Sequence, residues 1–213
     1  MKKNNLWILT EERPKNEVIG AIVAKFAKDY NIPCFINNIR ILPMVNNNKS
    51  FSFIYEVKGL DSNFIDRVYI KIVSGYSSFV DFLVFHQNIE PTGEDTPIYA
   101  IEETKTDDSE SRNTGVYQRA SKFVYIEYYY PDIRKIMLYS LQIEQKETPS
   151  DTNIFGTRCL LTIGVEILGK KIDSKVFVSK FSVTECVGQA YLFSAKTFIL
   201  SFSILKEIKL GFF

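Results

Sequence analysis

The chain has 213 residues, a net charge of +1, 46% apolar residues and 14% aromatics. That is room for one domain with a full core, or one domain and a small lobe, within the ordinary globular range. Its three cysteines (Cys34, Cys159, Cys186) are odd in number and widely spaced, and His86 is the single histidine. This argues against a structural zinc site, a disulfide framework and any Ser-His-Asp, Cys-His or His-metal chemistry.

No Gly-rich phosphate loop occurs, so no nucleotide cofactor is expected. The start, Met1-Lys2-Lys3-Asn4-Asn5, is basic but lacks the apolar run of a signal peptide. No segment reaches about 18 uninterrupted apolar residues, and the stretch Ala190 to Leu205 is broken by Ser and Lys. The expectation is a soluble cytoplasmic protein with no membrane partner.

In chain order, Leu6 to Leu9 is a short apolar start. Thr10-Glu11-Glu12-Arg13-Pro14 reads as a helix opening, with acids and a proline at the first turn. Val18, Ile19, Ile22, Val23 and Phe26 recur at helical spacing, which predicts an amphipathic helix over Lys15 to Asp29 that ends at Asn31-Ile32-Pro33. Glu17 near its start is read as an exposed first-turn acid. Cys34 to Val45 and Phe51 to Lys58, joined by Asn46-Asn47-Asn48-Lys49, predict a β-hairpin. Strands follow at Arg67–Val73, Phe79–Phe85 and Ile98–Lys105, then a helix from Thr114 to about Ile126 with Gln118, Arg119 and Lys122 exposed early in it, then a strand from Lys135 to Gln142. The aromatic density over Phe123 to Tyr130 is read as core, with stacking on unpaired bases the alternative. His86, at a strand end, is read as structural. Glu144 to Thr152 is linker-like. Beyond it, Asn153 to Leu168 fits a helix capped by Asp151 or Thr152, although its Thr, Ile and Val favour strand. Lys175 to Phe181 reads as a strand, and the apolar end Ala190 to Phe213 suggests a buried strand or a subunit interface.

The chemistry concentrates around Ile98-Tyr99-Ala100-Ile101-Glu102-Glu103-Thr104-Lys105. Side chains alternate along a strand, so Glu103 and Lys105 share one face while Glu102 and Thr104 share the other. A carboxylate beside an ammonium is commonly no more than a surface ion pair. Upstream, however, Asp81 sits inside the apolar run Phe79-Val80-Asp81-Phe82-Leu83-Val84-Phe85. A charge there is costly unless paired or metal-bound. Two carboxylates and a lysine are what a metal-dependent phosphodiesterase needs: acids to hold a magnesium ion, and a lysine to orient the attacking water at the phosphate as the ammonium or deprotonate it as the neutral amine. Asp95, in the turn Pro91-Thr92-Gly93-Glu94-Asp95, is the rival first acid. Glu56-Val57-Lys58 is a second Glu-x-Lys triplet, but without a preceding buried acid or a following polar helix.

Asp81 together with Glu103-Thr104-Lys105 resembles the PD-(D/E)XK nuclease superfamily, best known from type II restriction endonucleases. The resemblance covers residues 15 to 142; Val80 stands where the motif's proline would be. It implies an α/β restriction-endonuclease-like fold: an α-β-β-β-α-β core with a mixed central sheet flanked by helices. The core would span residues 1–145, carry an inserted hairpin at 34–58, and be followed by a C-terminal extension over 146–213 packed on it for DNA contact or dimerisation. It implies Mg2+ held by Asp81 and Glu103, Lys105 positioning the water, and Gln118 supporting it. Arg112, Asn113, Arg119 and Lys122 would contact double-stranded DNA, these residue types being suited to base edges and phosphates. The implied function is site-specific cleavage by a homodimer, with specificity in the 34–58 hairpin and the segment after Glu144.

The charge distribution suits this. From Gln87 to Arg112 there are eight acids against two bases, and from Asn153 onward eight bases against four acids. Lys170, Lys171, Lys175 and Lys180 are available to phosphates or simply to solvent. A repair or junction-resolving nuclease of the same fold, and a non-catalytic β-rich binding protein, remain alternatives.

Overall fold

A computed structural model describes residues 2–49, 51–73, 80–104, 114–139 and 151–169. These form β1 (Asn4–Thr10), α1 (Asn16–Asp29), β2 (Cys34–Val45), β3 (Phe51–Ser62), β4 (Ile65–Ile72), β5 (Phe82–His86), β6 (Tyr99–Thr104), α2 (Thr114–Tyr129), β7 (Arg134–Tyr139), α3 (Asp151–Thr162) and β8 (Val165–Leu168). The fold is mixed α/β: an eight-stranded sheet in the order β2-β3-β4-β1-β5-β6-β7-β8, flanked by three helices. The chain divides into two compact units, one of Met1–Glu103 with Tyr125–Ile136, the other of Thr104–Val124 with Met137–Phe213. Among the described residues no helix is long and apolar enough to cross a membrane.

In the first unit, α1 buries Val18, Ile19, Ile22, Val23 and Phe26, the set expected from helical spacing, and leaves Glu17 exposed. The helix stops at Tyr30, and Asn31 takes a positive φ of 51°. Asparagine tolerates that conformation better than most residues. The expected helix opening at Thr10 is corrected. Thr10 is the last residue of β1 and its hydroxyl donates to the Glu12 carbonyl at 3.1 Å, while the helix starts six residues later at Asn16.

The apolar start Leu6 to Leu9 is in fact part of an interior strand of the sheet. β1 pairs in parallel with β4 and antiparallel with β5, and Leu6 and Ile8 are fully buried. It therefore separates two strands that follow one another in the sequence. Nothing near residue 6 announces that place, because a parallel partner is reached only through a long crossover.

The hairpin forms as expected and runs longer, to Ser62. β2 and β3 pair antiparallel from Cys34↔Ser62 to Val45↔Phe51, with a register break between Ile36 and Arg40. Gly59 lies in that break with φ +90°, and a Cβ there would collide with the carbonyl oxygens of Asn37 and Asn38. Only glycine has that freedom without a clash.

The second unit packs Phe123, Met137, Tyr139, Leu160 and Val165 into one cluster, drawing on α2, β7, α3 and β8. Residues 153–168 thus resolve into a helix followed by a short strand, and α3 and β8 adjoin at the turn Ile163–Gly164, where Gly164 has φ +77°. α2 extends three residues beyond the expected end at Ile126. The reading of 123–130 as core is corrected in part. Phe123 and Ile126 are buried, but Tyr125, Tyr128 and Tyr129 are 57%, 73% and 60% exposed. Helical periodicity places one side of the segment inward and the other in solvent, whatever the aromatic density. Arg119 and Lys122, expected to be exposed, are half-buried. The expected linker Glu144–Thr152 runs two residues into α3, which starts at Asp151; the rest of it, the expected strand at Lys175–Phe181 and the apolar end at Ala190–Phe213 lie outside the described residues.

Candidate functional site

β5 and β6 run antiparallel with Phe82 opposite Ile101 and Val84 opposite Tyr99. That register brings Asp81, just before β5, alongside the end of β6. There the Glu103 backbone amide donates to Asp81 Oδ2 at 2.6 Å. Two residues 22 apart in sequence thus meet because one tight antiparallel pair brings the start of one strand to the end of the next. A carboxylate acceptor makes such a bond stronger than a neutral one.

Along β6 the side chains alternate as expected. Glu102 and Thr104 are buried, at 3% and 2% exposure, and Glu103 is half-buried, as is Asp81. Glu102 is a carboxylate that sequence reasoning set aside as pointing away. Its depth is unusual for an acid, because a buried carboxylate needs hydrogen bonds, an ion pair or a metal to offset lost hydration. The signal available in the sequence was its position, between Ile101 and Glu103 in an apolar strand, with the opposite parity to Glu103.

Asp95 has other employment. Its Oδ2 accepts from the Thr92 backbone amide at 2.8 Å and from the Thr92 hydroxyl at 3.0 Å, closing the turn before β6. The Thr92 amide, then the side chains of Gln87 and Thr92, hold the Asp95 carboxyl below the usual carboxylate range. Of the two candidate first acids, Asp81 is the one brought to Glu103. Lys105, Arg112 and Asn113 lie outside the described residues. Gln118 lies in the first turns of α2, where only its backbone is described, and Arg119 and Lys122 follow on the same helix. His86 packs its ring against Phe26, centroids 5.0 Å apart, and burial lowers its pKa despite a bond to the Phe64 backbone.

Magnesium takes hard oxygen ligands, and one or two carboxylates with several waters suffice to hold it. The carboxylates of Asp81 and Glu103 fit that requirement in kind and in number. Among the described residues, no three His, Cys, Asp or Glu side chains gather into a metal-holding group.

A second polar cluster in the same unit escaped sequence reasoning. Lys25 Nζ lies 2.5 Å from Asp29 Oδ1, and these side chains are only 7% and 6% exposed. The Tyr99 hydroxyl donates to Asp29 Oδ2 at 2.7 Å, and Arg134 Nη1 reaches the same oxygen at 2.7 Å. Burial pushes the Asp29 carboxyl up, but the hydrogen bonds from Lys25 and Tyr99, with the charges of Lys25 and Arg134, outweigh it and hold the pKa below the ordinary value. Burial, then the bond and charge of Asp29, push the Tyr99 phenol up. This closed network ties the end of α1 to the start of β6 and the start of β7. Only its i, i+4 pair, Lys25 with Asp29, was legible as helix-surface chemistry; Tyr99 and Arg134 come from 70 residues away or more.

No protein-family model, no curated protein and no solved structure matches this chain.

Proposed function

We propose that this chain is a magnesium-dependent endodeoxyribonuclease of the PD-(D/E)XK type, acting as a homodimer on specific sites in double-stranded DNA, as type II restriction enzymes do. The supporting observation is the contact between Asp81 and the Glu103 amide across adjacent strands. It joins the candidate first acid to the backbone of the residue that carries the second, which supports reading the two carboxylates as one site. The order of elements from α1 through β4, β5, β6, α2 and β7 suits the restriction-endonuclease-like core, with the β2–β3 hairpin inserted and β1 lying between β4 and β5.

In this reading Asp81 and Glu103 hold the ion. When bound, magnesium neutralises charge developing at the phosphate and lowers the pKa of a bound water. Asp81 is fixed by the Glu103 amide, so one of its oxygens is oriented before any ligand arrives, which lowers the cost of organising the site. Lys105 orients or deprotonates the attacking water and faces the scissile phosphate. Gln118 supports it, and Arg112, Asn113, Arg119 and Lys122 contact the duplex. A twofold target is served by a twofold protein, each protomer cutting one strand.

The test is incubation of purified protein with phage DNA, with and without magnesium, read on a gel. Discrete bands that appear only with magnesium are the expected result. Intact DNA across magnesium and manganese, together with no heat of magnesium binding in calorimetry, would overturn the proposal.

A further inference from the structure

The strand directions put the hairpin tip at the same end of the sheet as the carboxylates. β1 and β4 run in parallel and finish together, Thr10 opposite Ile72. β5 begins at that end, Phe82 opposite Thr10, and β6 finishes there, beside Asp81. β3 is antiparallel to β4, with Ile54 opposite Lys71, so its start at Phe51 and the turn before it lie at that end too. β3 continues three residues past its last paired position, Ile54. That carries the ribbon about 10 Å further along its axis at the strand rise of ~3.3 Å per residue.

The chemistry of the ribbon contrasts with that end of the sheet. From Cys34 to Tyr55 there is no carboxylate, while Asn37, Asn38, Asn46, Asn47, Asn48, Arg40 and Lys49 are present. Around the strand ends stand Glu11, Glu12, Asp81, Glu102 and Glu103. Asn46, Asn47, Asn48 and Lys49 are all exposed, and the turn is closed by the Lys49 amide donating to the Asn46 carbonyl at 2.8 Å, with Lys49 at φ 65°. Exposed Val45 and Phe53 flank it. The distal part of the ribbon, without acids from Pro43 through Tyr55 and with asparagines and a lysine at its tip, is complementary to a surface that is anionic at its rim and patterned with donors and acceptors inside. That describes a duplex groove. The major groove, about 12 Å wide, admits a two-stranded ribbon, and asparagine matches the paired donor and acceptor of adenine.

Resting on the nuclease reading above, we propose that the β2–β3 tip enters the major groove of the DNA that the Asp81–Glu103 end cuts, with Asn46, Asn47 and Asn48 reading base edges and Lys49 meeting a phosphate. The tip and the β5–β6 pair are separated by four strand spacings in the sheet order, roughly 19 Å at ~4.8 Å each. Laid along the duplex, that is on the order of five base-pair steps of ~3.4 Å. The bases selected by the tip therefore lie about that far from the cut, and A·T pairs are preferred among them.

The experiment sequences the fragment ends produced from phage DNA with magnesium by the wild type, the triple variant Asn46→Ala/Asn47→Ala/Asn48→Ala, and Asn47→Asp, with circular dichroism confirming that each folds. A gel-shift titration of a short duplex at two salt concentrations accompanies it, using the wild type and Lys49→Gln. The triple variant is expected to lose roughly tenfold or more in cleavage at wild-type sites, and to relax selection at the tip-proximal positions while still cutting with magnesium. Asn47→Asp is expected to weaken cutting further, and Lys49→Gln to reduce the salt dependence of binding by about one phosphate contact. Unchanged sites and rates in both tip variants would overturn this proposal and leave the nuclease reading standing. A wild type that neither cuts nor shifts DNA would overturn both.

Discussion

Glu56-Val57-Lys58 and Glu103-Thr104-Lys105 are one pattern in two strands, and they keep different company. In β3, Glu56 Oε1 lies 2.7 Å from Lys58 Nζ and 3.8 Å from Arg67 Nη1, on strands that neighbour each other in the sheet. Arg67 leans on the Tyr69 hydroxyl at 3.5 Å. The triplet's glutamate is occupied by its own lysine and by a neighbouring arginine, and no second carboxylate faces it in these contacts. In β6, Glu103 is the next-to-last residue of a strand whose neighbour begins just after Asp81, and the Glu103 amide bonds Asp81. The first arrangement satisfies charge with charge. The second satisfies a carboxylate with the backbone amide of the residue that carries another carboxylate. What separates them is the partner strand, not the triplet.

The largest effect expected is on cleavage. Glu103→Gln should lower magnesium-dependent cutting by about a hundredfold to a thousandfold, while Glu56→Gln changes it by less than about twofold, both measured as initial rates on plasmid DNA. Equal losses would erase the distinction between the two triplets.

Next in size is a stability effect on the strand that carries Glu103. Asp29→Asn leaves Lys25 buried without its carboxylate, and should cost about 3 kcal/mol in chemical denaturation. The same variant carries a pH signature. The Asp29 carboxyl is held below its ordinary value of 3.8 in the folded protein. The unfolded chain therefore binds the proton first as pH falls. The stability from this group is complete above the unfolded value and is lost as pH drops through the folded one. The wild type should lose stability below about pH 4 more steeply than Asp29→Asn, and parallel curves would show that the network contributes nothing.

Gly59→Ala comes third. The new Cβ has φ +90° to adopt and the Asn38 carbonyl oxygen 2.6 Å away, so a loss of roughly 2 kcal/mol is expected in thermal melts. A neutral result would mean that the break in the β2–β3 register relaxes at little cost. The smallest effect belongs to Lys58→Ala. Its side chain is 45% exposed, and the loss should stay under about 1 kcal/mol and vanish in high salt.

Much of this could be read one residue at a time. The α1 face, the hairpin and the alternation of Glu102, Glu103 and Thr104 are local periodicities, and local sterics and burial set them. Asp81 was marked by a local contradiction, an acid in an apolar run. The tyrosines of α2 show the limit of such reading: composition suggested core for all of 123–130, and only the helix's orientation left Tyr125, Tyr128 and Tyr129 in solvent.

What the sequence determined by itself, then, was which segments are helix or strand over most of the described chain, and which residue types could bind a hard cation. Tertiary structure alone decided that Leu6 to Leu9 belongs to an interior strand, that Tyr99 and Arg134 converge on Asp29, and that Asp81 rather than Asp95 meets Glu103. The reason is physical. Propensity and amphipathic period act over a few residues, whereas strand neighbours, register and buried polar partners are chosen by contacts between segments tens of residues apart. The free energy of those contacts depends on both partners at once.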